Sequence, residues 1–234
     1  MKDKRKGSKL KKVSEEKAND YWNSSKIVSE FANAGIPLYW KDYFTCVVEP
    51  QNDTVLDLGC GGGRNTYMLA SLGFQVLACD LHENMLEAAR KKIELLELNE
   101  TEKVSFKIAN MLSLPYENES IDYVLANGIY HNTSSVEEFI TAIRETSRIL
   151  KRGGHLCMNV FTDAFIEKDL IKKSEDYLYE TPDQLDMILL PEHKILDILK
   201  DNYLLPEGNT FSYQTKINIG NRSVLRGIFI KNNL

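Results

Sequence analysis

Two carboxylates and a run of glycines hold most of the chemistry this sequence can do. In Val55-Leu56-Asp57-Leu58-Gly59-Cys60-Gly61-Gly62-Gly63, an apolar stretch of strand length ends in glycines at alternate positions. Gly59, Gly61 and Gly63 permit a sharp turn and let a ligand approach the main chain with no Cβ in the way. Cys60 contributes its backbone to the same loop. A helix predicted to open at Arg64 would point its free N–H groups at that ligand. Asp57, just before the loop, attracts an ammonium group and repels a pyrophosphate. Asp80 closes the next apolar run, at a strand tip where a carboxylate can accept both hydroxyls of a ribose. The pattern thus favours a nucleoside ligand that also carries an amino acid. The nearest competitor, a dinucleotide loop of the form Gly-x-Gly-x-x-Gly, needs glycine at position 64, where this chain has Arg64. Arg64 itself reads equally as a contact to a ligand carboxylate or as an exposed first-turn arginine.

These residues need a scaffold, and the rest of the chain supplies its pattern. Apolar runs at 54–58, 75–79, 104–108, 121–126 and 155–161 are strands covered on both faces, because a parallel sheet buries both. Amphipathic segments at 64–72 and 83–98 fill two of the gaps, and Ser135 with Glu138 forms a capping box for a helix running to about Leu150. Lys151-Arg152-Gly153-Gly154 is expected to end that helix, with basic residues at its negative end and glycine in the turn. Alternating strands and helices predict βαβ units. Beyond Phe161 the alternation breaks. Residues 162–191 form a polar insertion in which Thr181-Pro182-Asp183-Gln184 reads as a further helix start, followed by a helix at 192–201. Two strands, 211–217 and 224–231, then make a hairpin around Gly220-Asn221. Aromatic residues between 21 and 44 predict one or two helices ahead of the core. They serve either as a lid over the ligand or as plain packing.

The 234 residues suit one α/β domain with additions: a basic tail at 1–12, then a single domain at 13–234 with an N-terminal helical lid at 13–50 and a substrate-side insertion at 162–191. A net charge of −5 argues against a whole-surface nucleic-acid binder, although Lys2, Lys4, Arg5, Lys6, Lys9, Lys11 and Lys12 crowd the tail. The four cysteines include no C-x-x-C pair and the four histidines lack metal-ligand spacing, so reduced thiols and no metal are expected. No apolar run is long enough to span a bilayer and no secretory signal opens the chain, which predicts a cytoplasmic protein.

The stretch VLDLGCGGGRNT, followed by ACD at 78–80, resembles the first two motifs of the class I S-adenosylmethionine-dependent methyltransferase superfamily. Leu114-Pro115-Tyr116, Ser120-Ile121-Asp122-Tyr123-Val124 and Arg148-Ile149-Leu150-Lys151-Arg152-Gly153-Gly154 extend the resemblance, which covers about residues 45–165 and the carboxy-terminal hairpin. It implies a doubly wound α/β fold: a seven-stranded sheet, mostly parallel with a reversed last strand, and helices on both faces. It implies S-adenosylmethionine as cofactor and S-adenosylhomocysteine as product. The implied cofactor contacts are Asp57, Gly59, Cys60, Gly61, Gly63, Arg64, Asp80, Leu81, Met85, Asn110, Met111 and Asn127. Asn110 stands where the family usually has an acid.

After the fourth strand, Asn127-Gly128-Ile129-Tyr130-His131-Asn132 lies at the carboxyl edge, where open α/β sheets bind ligands. The methyl acceptor is expected to pass here. His131 is a candidate proton acceptor and Tyr130 a candidate pocket residue, each weighed against a role in packing. A small-molecule methyltransferase is the first expectation. An RNA or protein methyltransferase using the tail is the second, and a non-catalytic adenosylmethionine-binding regulatory protein the third. Oligomeric state is not legible in the chain.

Overall fold

The computed structural model describes residues 15–217 and 220–232, so the basic run at 1–12 lies outside the described residues. Five strands run parallel: β1 (Thr54–Leu58), β2 (Gln75–Asp80), β3 (Val104–Ile108), β4 (Ile121–Asn127) and β5 (Leu150–Thr162). The chain then forms a small antiparallel sheet from β6 (Ile171–Lys172), β7 (Leu178–Glu180) and β8 (Asp186–Ile188). After β9 (Leu204–Pro206), strands β10 (Phe211–Ile217) and β11 (Gly220–Lys231) complete the main sheet in the order β10-β11-β5-β4-β1-β2-β3. β11 is antiparallel to both neighbours, which makes it the reversed strand among seven. β9 adds an eighth by pairing with the far end of β11.

Residues 15–22 are helical (α1), followed by α2 (Ser25–Ala32) and α3 (Leu38–Thr45), so three helices precede the core where one or two were expected. The remaining helices are α4 (Arg64–Ser71), α5 (Glu83–Ile93), the short α6 (Leu98–Thr101), α7 (Val136–Ile149) and α8 (Glu192–Asp201). Strand alternation sorts the core into two faces. Leu56, Val124, Ala126, Leu156, Met158, Leu225 and Phe229 pack with Phe139, Ala142 and Ile143 of α7 and Ile195 and Leu199 of α8. Val55, Leu125 and Cys157 pack with Trp40 and Phe44 of α3 and Met68 and Leu69 of α4. Each fully buried Phe, Leu or Ile contributes about 1.5–3 kcal/mol. The two-faced burial therefore outweighs any local preference and fixes the register.

Three expectations are corrected. The Thr181–Gln184 segment is not a helix start but the turn between β7 and β8, in which Gln184 has φ 62° and Thr181 Oγ1 accepts from Leu185 N at 3.2 Å. The glycines at 153–154 do not end α7, which stops at Ile149. They lie inside β5, where the pairing with β4 is irregular between Ile121 and Tyr123 and Gly153 takes φ 75°. The long helix drawn over 83–98 ends at Ile93. The hairpin stands, but Gly220 and Asn221 are not its turn: they open β11, paired with Ile217 and Lys216 of β10. Ser135 Oγ accepts from Glu138 N as expected, while the Glu138 carboxylate turns back to Ser134 N and Oγ.

Candidate active site

The carboxyl edge of β1 gathers the glycine loop over the acidic tip of β2. Gly59, Gly61 and Gly63 all take left-handed backbone, with φ 70°, 52° and 82°. Gly59 N and Cys60 N both donate to Cys79 O at 2.9 Å, which ties the loop to β2. Gly61 N donates to Asp80 Oδ2 at 2.9 Å and His82 N to Asp80 Oδ1 at 3.0 Å, so the Asp80 carboxylate is aimed by two main-chain donors. Burial raises the Asp80 pKa against those bonds. Gly63 is the N-cap of α4, and a Cβ there would meet the Ala89 backbone at 2.8 Å.

Asp57 is wholly buried on the α4 side of β1. Its Oδ2 accepts from Thr66 Oγ1 at 2.6 Å, while its Oδ1 has no hydrogen-bond partner among the described residues. Burial pushes its pKa up to about 6, against the pull of the Thr66 bond, the neighbouring Asn65 amide and the nearby Arg64 charge. A buried, half-satisfied carboxylate costs stability unless something cationic or protic completes it. An amino-acid-bearing cation fits that requirement.

The other expected contacts fall on the same edge. Arg64 opens α4 and reaches Gly35 O at 3.4 Å. Leu81 is 54% exposed beyond Asp80, an apolar side chain left open at a strand tip. Met85 is buried in α5. Asn110 Oδ1 accepts from Leu112 N at 2.9 Å, and Met111 packs partly into the core. Asn127 ends β4, with its Oδ1 accepting from Trp40 Nε1 at 3.4 Å. Tyr130 lies in the core with its hydroxyl 2.7 Å from Thr146 Oγ1, an environment that suits packing. His131 is 3% exposed, stacks on Phe161 at 3.9 Å and takes Phe161 N on Nδ1 at 3.4 Å. Burial, reinforced by the Arg222 charge, lowers its pKa to about 3. It therefore stays neutral, and a base this weak removes protons poorly.

Sequence reasoning missed the residues that cover the loop. Phe31 of α2 lies over Gly61, Ile129 lies over Gly59, and the α2 backbone at Ala32 lies against Gly62. The chain after α1 is tied down on α5, where Asn84 Nδ2 donates to Asn23 O at 2.8 Å. Lys17 Nζ donates to Gln184 Oε1, which joins α1 to the β7–β8 turn. The small sheet packs Leu170, Tyr179, Met187 and Leu189 against Phe161 at the end of β5. The aromatic content of 21–44 was the only signal for any of this. Thr66 was legible in principle, since it faces back from the first turn of the helix that follows Asp57.

Residues 56–158, from β1 into β5, match the methyltransferase domain family. The fold aligns with a SAM-dependent methyltransferase from Methanosarcina mazei at a TM-score of 0.72 and 21% identity, covering 86% of this chain and 100% of that one. The matched segment belongs to the methyltransferase domain family, and the chain has the fold of the class I S-adenosylmethionine-dependent methyltransferases. The chain is similar to a ubiquinone/menaquinone biosynthesis C-methyltransferase of Nitrobacter hamburgensis, 32% identical over 58% of this chain and 55% of that protein. It is also similar to a demethylmenaquinone methyltransferase of Lactococcus lactis, 31% identical over 63% of this chain and 59% of that protein. The chain thus spans little more than half the length of these curated relatives. The superfamily's seven-stranded sheet with one reversed strand is the architecture described above. Among the described residues no helix is long and apolar enough to cross a membrane.

Proposed function

We propose that this protein transfers a methyl group from S-adenosylmethionine to a small-molecule acceptor. The observation that carries the reading is the convergence of three features at one end of β1 and β2: the left-handed glycine loop, the Asp80 carboxylate held by Gly61 N, and the partnerless Asp57 Oδ1. Asp80 takes the ribose hydroxyls, and Leu81, Asn110 and Met111 border the base. Gly59, Cys60, Gly61 and Gly63 present main chain to the amino-acid end, with Asp57 drawing its ammonium and Arg64 its carboxylate. Bound there, the cofactor supplies an electrophilic methyl on a sulfonium.

The chain's own work is orientation and exclusion of water, which can supply most of the rate without a dedicated base. The acceptor's electron pair would form the new bond to the methyl carbon, with the S–C pair left on sulfur. Any proton released passes to solvent, since neutral His131 is buried against Phe161. Helices within 13–50 act as a lid through Phe31 and Ala32, and the 162–191 insertion closes the acceptor side through Phe161. The names of the relatives support a small, flat acceptor. Four free cysteines, three of them buried, suit a reducing cytoplasm.

The test is calorimetry with S-adenosylmethionine and S-adenosylhomocysteine on wild type and Asp80→Ala, followed by detection of S-adenosylhomocysteine release on metabolite fractions and on bulk RNA. Asp80→Ala should weaken binding about tenfold or more, the loss of charge-assisted bonds to two hydroxyls. Unchanged binding in this variant would overturn the cofactor assignment. Turnover on RNA alone would replace the small-molecule reading with a nucleic-acid one, and binding without turnover on either would leave a regulatory protein.

A further inference from the structure

Beside the cofactor end, three neighbouring strands present one polar row. Asn127 of β4 pairs in register with Asn159 of β5, and Asn159 pairs with Arg226 of β11. All three lie on the α3 side of the sheet, the side of Leu125, Cys157 and Ile228. Asn127 Nδ2, Asn159 Oδ1 and Arg226 Nε are each shielded and without a hydrogen-bond partner among the described residues. The nearest structural explanation, an internal polar network, fails because the three groups do not satisfy one another. Three adjacent orphans cost about 1–3 kcal/mol each. Such a concentration on one edge calls for a common partner.

The surroundings define that partner's chemistry. Arg226 is half-buried, and its guanidinium stacks on Tyr39 at 3.6 Å with Tyr213 at 4.9 Å. Stacking occupies the faces of the guanidinium and leaves its in-plane N–H donors free, and no carboxylate among the described residues forms an ion pair with it. Tyr39 stands edge-on to Trp40 at 4.9 Å, and Trp40 holds Asn127 Oδ1, so the aromatic wall and the polar row are one assembly. The row ends beside Gly128, where a Cβ would lie 3.8 Å from both Asn159 Oδ1 and His131 Cε1. Planar, charge-assisted recognition by arginine favours an oxygen whose negative charge is shared over a flat group.

We propose that Arg226, Asn159 and Asn127 form the acceptor's anchoring subsite, and that it takes a planar conjugated oxyanion, whether an aromatic carboxylate or the enolate of a hydroxyquinone. The proposal rests on the methyl-transfer reading for its purpose, but binding of the anion can be measured without it. Arg226 Nε and Asn127 Nδ2 donate to the oxyanion, Asn159 flips its amide so that Nδ2 in place of Oδ1 donates to it as well, and Tyr39 lies against the flat body. The charge left on the conjugated acceptor raises its nucleophilicity, which suits a site whose histidine stays neutral.

Two probe pairs decide the matter: benzoate against benzamide, and 2-hydroxy-1,4-naphthoquinone against its 2-methoxy ether. Each is titrated calorimetrically into the full chain, with and without S-adenosylhomocysteine. One or both anions should bind, and each bound anion should bind about tenfold or more tightly than its neutral partner. Whichever anion binds identifies the source of the charge. Arg226→Met should abolish that preference, Asn159→Ala should weaken the anion, and Arg226→Lys should keep only part of the preference. Both Arg226 variants should bind S-adenosylhomocysteine as wild type does, which certifies the fold. Equal binding of the charged and neutral members, no binding of either anion, or unaltered anion binding by Arg226→Met overturns the subsite. If wild type fails to bind S-adenosylhomocysteine, the cofactor reading falls, and the cofactor-free titrations with circular dichroism of the variants still judge the row on its own.

Discussion

Asp57 sets a proton balance that can be measured. Its carboxyl ordinarily titrates near 3.8, and in the folded chain burial lifts it to about 6. A raised folded pKa means the native state holds the proton more tightly than the unfolded chain does. The associated stability is complete below about pH 3.8 and is lost as pH rises through about 6. Asp57→Asn is uncharged throughout, so its thermal midpoint should exceed that of the wild type above pH 7, with the gap closing toward pH 4. Cofactor binding should reverse the effect, because a cation beside the carboxylate favours its charged form. Calorimetry near pH 6 in two buffers of different ionisation enthalpy should therefore record proton release on binding. No release, together with wild-type affinity in Asp57→Asn, would confine the residue to holding Thr66.

At the scale of elements, the glycine loop and α2 are built against each other. Gly62 needs no unusual backbone, yet a Cβ there would fall 2.4 Å from Ala32 N and 2.5 Å from Ala32 Cα. Those are main-chain atoms of the end of α2, so no side-chain rotation relieves the clash and the helix must shift. Gly62→Ala should lower the thermal midpoint by several degrees, as about 1–2 kcal/mol of destabilisation does in a chain of this size. Trypsin should also cut faster after Lys26, which lies within α2. Gly153→Ala is the control: its φ of 75° is strained, but nothing lies within 4 Å of the added atom. A Gly62→Ala variant with wild-type proteolysis would mean that α2 is not held by the loop.

Over the whole molecule, charge is distributed unevenly along the chain. A net charge of −5 coexists with seven basic residues among the first twelve, all outside the described structure. Deleting 1–12 should leave cofactor affinity and small-molecule turnover within about twofold, because a charged terminus contributes little to a packed site. Activity on bulk RNA, if any, would instead fall steeply with salt, and deletion would flatten that slope. A salt titration with and without the segment separates the two. A tail-dependent slope on RNA would promote nucleic acid over the small acceptor.

The sequence by itself determined the elements whose cause is local. Periodic burial placed β1 to β4, α4 and α7 within a residue or two, with the start of α5 and the end of β5, and the glycines with Asp57 and Asp80 pointed to the proposed cofactor end, because strand tips and left-handed turns demand those residue types where they occur. Its errors arose where one local pattern serves two structures. Thr181 offers the same hydrogen bonds to a helix start as to the β7–β8 turn, and only the flanking strands decided between them. The short β9 carried no periodicity to read, since its place depends on the edge of β11 left open beyond β10. Tertiary structure alone brought Phe31 over Gly61, joined Lys17 to Gln184, and aligned Asn127, Asn159 and Arg226. The physical reason is range. A residue's own neighbours fix its dihedrals and its face, whereas a partner supplied by a distant strand is fixed by sheet register, which the buried faces of the whole core settle together.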